Sequence, residues 1–369
     1  MILKIIFLQF IFLISFIFND QNQKVQNNEE LITLTLEVVI QDSEELFIQT
    51  ISDAAITPSG KIIFTSSRQN QAFVFDENGD FMQTIGNEGR GPAEFNRPSG
   101  IEVSSDGTIF IHDQRNARIS VWNSEFQHET EFDFMRGWNT YFITSKNDVF
   151  IWSQTHRPIP SGAFAMNLFK IEKNPWRVET HRSFEFHDHD NKHEILDTWS
   201  KVVITDQGNM IADEGTNEGS YFLYKIDKNG EMMNRFGVKV DQPMHTPERS
   251  NELLQMMAQT GLAESERSTG SRSSVSGGRI SSELVPKPFF INLQIDSKNY
   301  LWAHRNKEFG QKEEIDIYLL TGEYITTVNL PASENEYRLL GIYEDKALFR
   351  VIEPDETPSL HVYRIEYKR

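Results

Sequence analysis

Apolar and polar positions alternate along most of this chain in short runs, separated by glycine, asparagine and aspartate. Ile101-Glu102-Val103 and Ile119-Ser120-Val121 place apolar side chains at every second position, the period of a β-strand with one covered face. Between such runs stand Pro58-Ser59-Gly60 and Ser105-Asp106-Gly107, which supply the residues that a tight hairpin needs at positive φ. The two clearest units are AAITPSGKIIFTSSRQNQAFVFDENGDFMQTIG from Ala54 and GIEVSSDGTIFIHDQRNARISVWNSEFQHETEF from Gly100. Both run strand, turn, strand, polar loop, strand.

The hairpin turn marks further copies at KNDVFIW, DQGNMIAD, SKNYLWAH and EDKALFRV. Gly60, Gly107, Asn147, Gly208, Asn299 and Asp345 then stand 47, 40, 61, 91 and 46 residues apart. A period of about 40 to 50 residues with about four strands per unit predicts propeller blades. The two long intervals are read as blades carrying insertions. One four-stranded sheet buries little alone, so each must stack on its neighbours, and a closed ring leaves no uncovered end. The last unit, from Gly341, supplies only three strands, so the fourth is expected from LITLTLEVVI (Leu31 to Ile40), latching the N-terminus onto the last blade. The fold class is therefore all-β: a six-bladed β-propeller of four-stranded antiparallel blades over residues 31–369, with the N-terminal strand completing the last blade.

Between blades 4 and 5, residues 238–288 form the longest insertion. Thr246-Pro247-Glu248 combines an N-cap residue, proline at the first helical position and an acid in the first turn, and Leu253, Leu254, Met256 and Met257 follow as an apolar face. The Ser/Gly/Arg-rich run from Glu264 to Glu283 reads as disordered. A partly helical, partly disordered excursion results, either a lid or docking arm or a tolerated surface loop.

Residues 1–18 differ in kind. Lys4 precedes a run from Ile5 to Phe18 that is apolar except for Gln9 and Ser15. It is too short to span about 30 Å of hydrocarbon comfortably, but fits the apolar core of a secretory signal. Small residues before a cleavage point are missing, because Phe16 and Phe18 precede Asn19, so a signal anchor stays open beside a cleaved signal peptide. Residues 19–30 are a polar spacer. The resulting location is exported: periplasmic, cell-surface or secreted, with membrane contact only through residues 5–18.

Gly86-Asn-Glu-Gly-Arg-Gly-Pro-Ala-Glu-Phe95, Pro98, Gly100-Ile-Glu-Val103, Ile109-Phe-Ile-His-Asp113 and Asn116-Ala-Arg118-Ile119 resemble the NHL-type repeat. More narrowly they are similar to the exported six-bladed propeller proteins of Bacteroidetes-like bacteria, within the TolB-like superfamily. The resemblance is specific in blade 2, recognisable in blades 1, 4 and 5, and faint in blades 3 and 6. It implies a fold and a compartment, and for most members no established activity. Many members are lipoproteins; with no cysteine, this chain offers no lipobox.

Composition narrows the partner. A net charge of -18 and a pI near 5 argue against nucleic acid, which that field would repel. Without cysteine there is neither a disulfide nor a thiolate nucleophile. The glycines of Gly86 to Gly91 loosely resemble a phosphate cradle, but Pro98 to Val103 continues as a strand and no Lys-Ser/Thr pair follows. The stretch is read as the bend between blades 1 and 2, with Phe95 as a wedge.

In an up-and-down blade, the loops between second and third strands share a face with the blade-to-blade crossovers. Those loops carry Arg68, Arg115, His156 with Arg157, and His304 with Arg305. In an acidic protein they form a candidate face for an anionic ligand, or else surface arginines paired with nearby acids. Asp113 and Asp213 close their second strands equivalently and are read as acceptors for their own loops. Trp122, Trp152 and Trp302 are read as core between blades. His187, His189 and His193 are weak metal candidates, because no helical ligand spacing accompanies them.

The functional expectation is a monomeric binding or scaffold module for an unknown small molecule, glycan or protein, with an anionic ligand among the candidates. The alternative is a metal-dependent hydrolase or lyase of the gluconolactonase or amidating-lyase kind, whose cofactor would be a divalent metal. Such a site draws single residues from several blades and leaves no spacing signature.

Overall fold

Short strands form wherever the alternating runs lie, and hairpin turns join them at the glycine and asparagine markers. Gly60, Gly107, Gly208 and Asn299 have φ of 83°, 85°, 78° and 64°. Each donates its backbone N–H to the carbonyl three residues earlier, on Thr57, Ser104, Thr205 and Asp296, at 2.8 to 3.0 Å. In three of these turns that earlier residue also uses its side chain: Thr57 Oγ1, Thr205 Oγ1 and Asp296 Oδ1 accept from the backbone N–H four residues on, at 3.0, 3.2 and 2.9 Å. The turn is thus closed twice, once by backbone and once by side chain.

The computed structural model describes residues 31–44, 46–134, 138–145, 148–154, 164–173, 175–186, 201–213, 222–237, 250, 289–306, 312–330 and 335–368. The chain begins with β1 (Ile32–Ile40). Blade 1 is β2 (Asp53–Ile56), β3 (Ile62–Ser66), β4 (Gln71–Phe75) and β5 (Phe81–Ile85). Blade 2 is β6 (Pro98–Val103), β7 (Ile109–Asp113), β8 (Arg118–Trp122) and β9 (His128–Asp133). Blade 3 is β10 (Trp138–Ser145), β11 (Asp148–Gln154), β12 (Phe164–Glu172) and β13 (Arg177–Phe186). Blade 4 is β14 (Val202–Ile204), β15 (Met210–Asp213), β16 (Leu223–Ile226) and β17 (Met232–Phe236). Blade 5 is β18 (Phe290–Ile295), β19 (Tyr300–Arg305), β20 (Glu314–Leu319) and β21 (Tyr324–Asn329). Blade 6 is β22 (Glu336–Tyr343), β23 (Lys346–Ile352) and β24 (Pro358–Tyr367).

All six sheets have four antiparallel strands, and the sixth has the order β1-β24-β23-β22, so the N-terminal strand completes the last blade as expected. Five sheets run in plain sequence order. The 238–288 insertion lies outside the described residues apart from Ser250, as do residues 1–30.

The core consists of seams between neighbouring blades. Among the described residues there are six apolar clusters, each joining two adjacent blades. Phe64, Phe73 and Phe75 of blade 1 meet Leu348, Leu360 and Val362 of blade 6, which closes the ring. Trp122, Trp152 and Trp302 sit in three different seams. Phe95, fully buried, stands between blades 1 and 2 with its ring 5.9 Å from that of Trp122. Gly86, at φ 78°, lies so close to the Phe95 ring that a Cβ there would approach it to 2.2 Å. Here glycine is required by both conformation and space.

Candidate functional site

The first strand of each blade lies innermost, and all six line an axial channel of about 520 Å³ that opens among the first hairpin turns. Its floor is polar. Asp53 begins β2, and its carboxylate accepts from Ala54 N at 3.0 Å and, in blade 2, from Ile101 N at 3.1 Å. Glu102, on β6, accepts from Val103 N at 2.9 Å and from the side chain of Thr144 in blade 3. Tyr141 Oη accepts from Val202 N of blade 4 at 2.5 Å. Asn292 Nδ2 of blade 5 donates to the Leu339 carbonyl of blade 6 at 2.7 Å, and Tyr343 Oη of blade 6 donates to the Ala54 carbonyl of blade 1 at 3.5 Å.

These contacts form a relay of polar latches around the axis. Innermost strands of neighbouring blades share no ladder, so side chains supply the hydrogen bonds between them.

The relay brings Asp53 and Glu102, both half-buried, into one electrostatic neighbourhood on the channel lining. Burial pushes the Asp53 carboxyl up to about 7, against the two backbone N–H donors and the nearby Arg338 and Arg350. Burial likewise pushes Glu102 up to about 7, opposed by its Thr144 and Val103 bonds and reinforced by the negative charge of Asp53. Tyr343 stays protonated, because burial and both carboxylates disfavour its phenolate. Asp206, Asp296, Glu344 and Asp345 add acids toward the hairpin mouth, where Lys346 is the cation on the lining. The channel can therefore keep each of two carboxyls protonated toward neutral pH, or present negative charge and acceptors to a ligand that donates hydrogen bonds.

The residues expected from sequence are placed differently from one another. Arg68 is exposed and lines a cleft between blades 6 and 1. Arg115 is exposed, and its backbone N–H donates to the Asn96 carbonyl at 3.0 Å. His304 is fully buried, with Nε2 3.0 Å from Glu313 Oε2 and Nδ1 accepting from Leu339 N at 3.2 Å. Arg305 grips Asp316 through Nε and Nη2, both at 2.7 Å, and Glu314 through Nη1 at 2.5 Å. His156, Arg157, His187, His189 and His193 lie outside the described residues. Among the described members of that set, Arg68 and Arg115 are the exposed ones.

Asp113 and Asp213 behave as acceptors for their own blades. Asp113 takes Asn96 N at 2.7 Å and Arg118 Nε at 3.0 Å, and Asp213 takes Lys201 N at 2.9 Å. Arg118 in turn donates to the Gly91 and Glu94 carbonyls at 2.8 and 2.6 Å, so the glycine-rich stretch is folded around an arginine of its own blade.

Among the described residues no group of three or more His, Cys, Asp or Glu side chains could hold a metal ion, and no helix is long and apolar enough to cross a membrane.

Fold and channel together define a six-bladed propeller with a polar axial pocket. The chain belongs to the 6-bladed beta-propeller family DUF5128, whose model matches residues 18–246. No curated protein matches it in sequence. A solved member of the DUF4221 family from Bacteroides vulgatus superposes with a TM-score of 0.56 at 10% identity, covering 92% of this chain and 100% of that one. A protein of Bacteroides fragilis described as exported gives 0.47 at 11% identity, with 94% and 98% covered. Virginiamycin B lyase from Staphylococcus aureus gives 0.48 at 10% identity, with 90% and 99% covered. At these identities the likeness is one of fold.

Proposed function

We propose that this chain is an exported binding module that holds a small ligand in its axial channel, with Asp53 and Glu102 as the recognising pair. The observation that carries the reading is that pair: two half-buried carboxyls from adjacent blades, partly desolvated and facing a pocket lined by every blade. Desolvated carboxyls favour a partner that brings positive charge or several N–H or O–H donors, so an amine-bearing or polyhydroxylated molecule is the ligand class. Export rests on the apolar run from Ile5 to Phe18.

The test is isothermal titration and thermal shift with a panel of amines, amino sugars and sugars. Wild type is expected to bind at least one member, and the D53N and E102Q variants to bind it about tenfold more weakly or worse, the weight of a hydrogen bond to a charged group. Equal binding by both variants would remove the reading, as would a wild-type protein stabilised by none of the panel.

A second reading is favoured by the same pair. Two carboxyls poised near neutrality can act as general acid and base, which suits a propeller hydrolase or lyase, with or without a divalent metal. Turnover of a bound ligand by wild type, lost in both variants and tested with and without chelator, would decide for catalysis.

A further inference from the structure

On the face opposite the hairpin turns, a second cleft of about 560 Å³ lies between blades 6 and 1. Gln49, Thr50 and Arg68 form one wall, while Glu336, Arg350 and Glu353 stand on the other. We propose that this cleft is a binding site for a small oxyanion, a carboxylate, sulfate or phosphate group held by the guanidinium groups of Arg350 and Arg68. The proposal does not require the channel to bind a ligand, although Asp53 of the channel acts electrostatically on Arg350 of this cleft.

Three observations carry it. First, Arg350 on β23 and Arg338 on β22 are directly opposed partners in the antiparallel ladder. Like charges in that position repel, and Arg338, exposed and outside the lining of this cleft, adds its charge to that of Arg350. Second, Arg350 Nε is shielded from water and has no hydrogen-bond partner among the described residues, while its Nη1 reaches the Ile51 carbonyl only at 3.4 Å. Guanidinium carries five N–H donors in a planar fork that matches an oxyanion two bonds at a time. Other shielded arginines here are satisfied: Arg118 by Asp113, Glu131 and backbone carbonyls, and Arg305 by Glu314 and Asp316. Third, Arg68 lines the same cleft from the neighbouring blade and has its charge exposed.

The acids around the cleft leave that fork open. Asp53, the acid behind Arg338 and Arg350, is held toward its neutral form by burial. Glu336 and Glu356 are exposed, Glu353 is half-buried, and among the described residues none of the three forms an ion pair with Arg350. Burial and then the charge of Arg338 work against the Arg350 cation, Glu336 and Asp53 favour it, and a bound oxyanion would add to their support.

The experiment titrates the full chain with sodium sulfate, phosphate and acetate against sodium chloride at matched ionic strength, following heat and thermal midpoint. At least one oxyanion is expected to bind and to stabilise beyond chloride. R350Q and R350K should both weaken binding by about tenfold or more, because lysine keeps the charge but loses the fork. R68Q should weaken it less, and R115Q not at all. E102Q, which disarms the channel, should leave oxyanion binding in place, so the two sites fail separately. A sulfated oligosaccharide that binds tighter than inorganic sulfate identifies a glycan source; equal affinity identifies a free anion. No oxyanion preference over chloride, or undiminished binding by R350K and R350Q, would overturn the proposal. Folding of R350K is checked by its unfolding transition, and R68Q supplies a second variant at an exposed position.

Discussion

At the scale of single residues, the decisive groups are polar side chains on innermost strands. Asp53 and Glu102 keep their protons up to about pH 7, whereas carboxyls in an unfolded chain lose them near pH 4. Between those values the folded chain binds more protons than the unfolded one. The stability these two groups contribute is therefore complete below about pH 4 and is lost as pH rises through 7, by up to about 1.4 kcal/mol per pH unit for each proton of difference. E102Q, which mimics the protonated acid, should flatten that decline and unfold at higher urea than wild type near pH 8, while the two proteins converge only below about pH 4. Parallel curves for both proteins would show that Glu102 is already ionised.

Neither carboxyl was legible in advance. Glu102 sits in Gly100-Ile-Glu-Val103, where alternation reads as a polar residue on an open face. In an innermost strand that face is closed by the adjoining blades, and the pattern cannot distinguish the two cases. His304 and Arg305 show the converse. A basic pair after a second strand reads as a charged loop, yet Glu313, Glu314 and Asp316, some nine to eleven residues later in the chain, occupy the facing strand and neutralise it.

At the scale of elements, sequence was most informative at the turns and at the ring closure. The markers Gly60, Gly107, Gly208 and Asn299 each take up positive φ in the first hairpin of their blade. The orphan apolar run Leu31 to Ile40 pairs with β24 from Ile32↔Tyr367 to Ile40↔Leu360, with one bulge between Leu36 and Val38. It serves two seams at once, Ile32 packing toward blade 5 and Val38 with Ile40 toward blade 1. Deleting residues 31–40 should consequently do more than uncover one sheet edge. Loss of a single cooperative unfolding transition and self-association in sedimentation are the expected outcomes. A soluble monomer with the wild-type transition would mean that the ring closes without it.

At the scale of the whole molecule, six seams around an axis leave a channel and, among the described residues, a second cleft on the far face. The hairpin mouth of the channel is rich in Asp and Glu with Lys346 beside them, whereas the far cleft brings Arg68 and Arg350 together with Glu336, Glu353 and Glu356. A net charge of -18 does not reveal this grouping of arginines. Where the protein works follows from its first residues: if the Ile5 to Phe18 run directs export and is removed, mass spectrometry of the secreted protein should find a mature N-terminus near Asn19. An N-terminus that retains residues 5–18 on membrane-bound protein would instead make the run an anchor.

The alternation of apolar positions, the recurring turn residues and the missing fourth strand were sufficient to define six four-stranded blades and their closure. Those features are local or nearly so, and each is written in consecutive residues. What lines the two clefts was decided only by tertiary structure. Asp53 acts on Glu102, and Arg350 shares a cleft with Arg68, across blade boundaries, and only closure of the ring sets the positions and the burial that give those charges their chemistry.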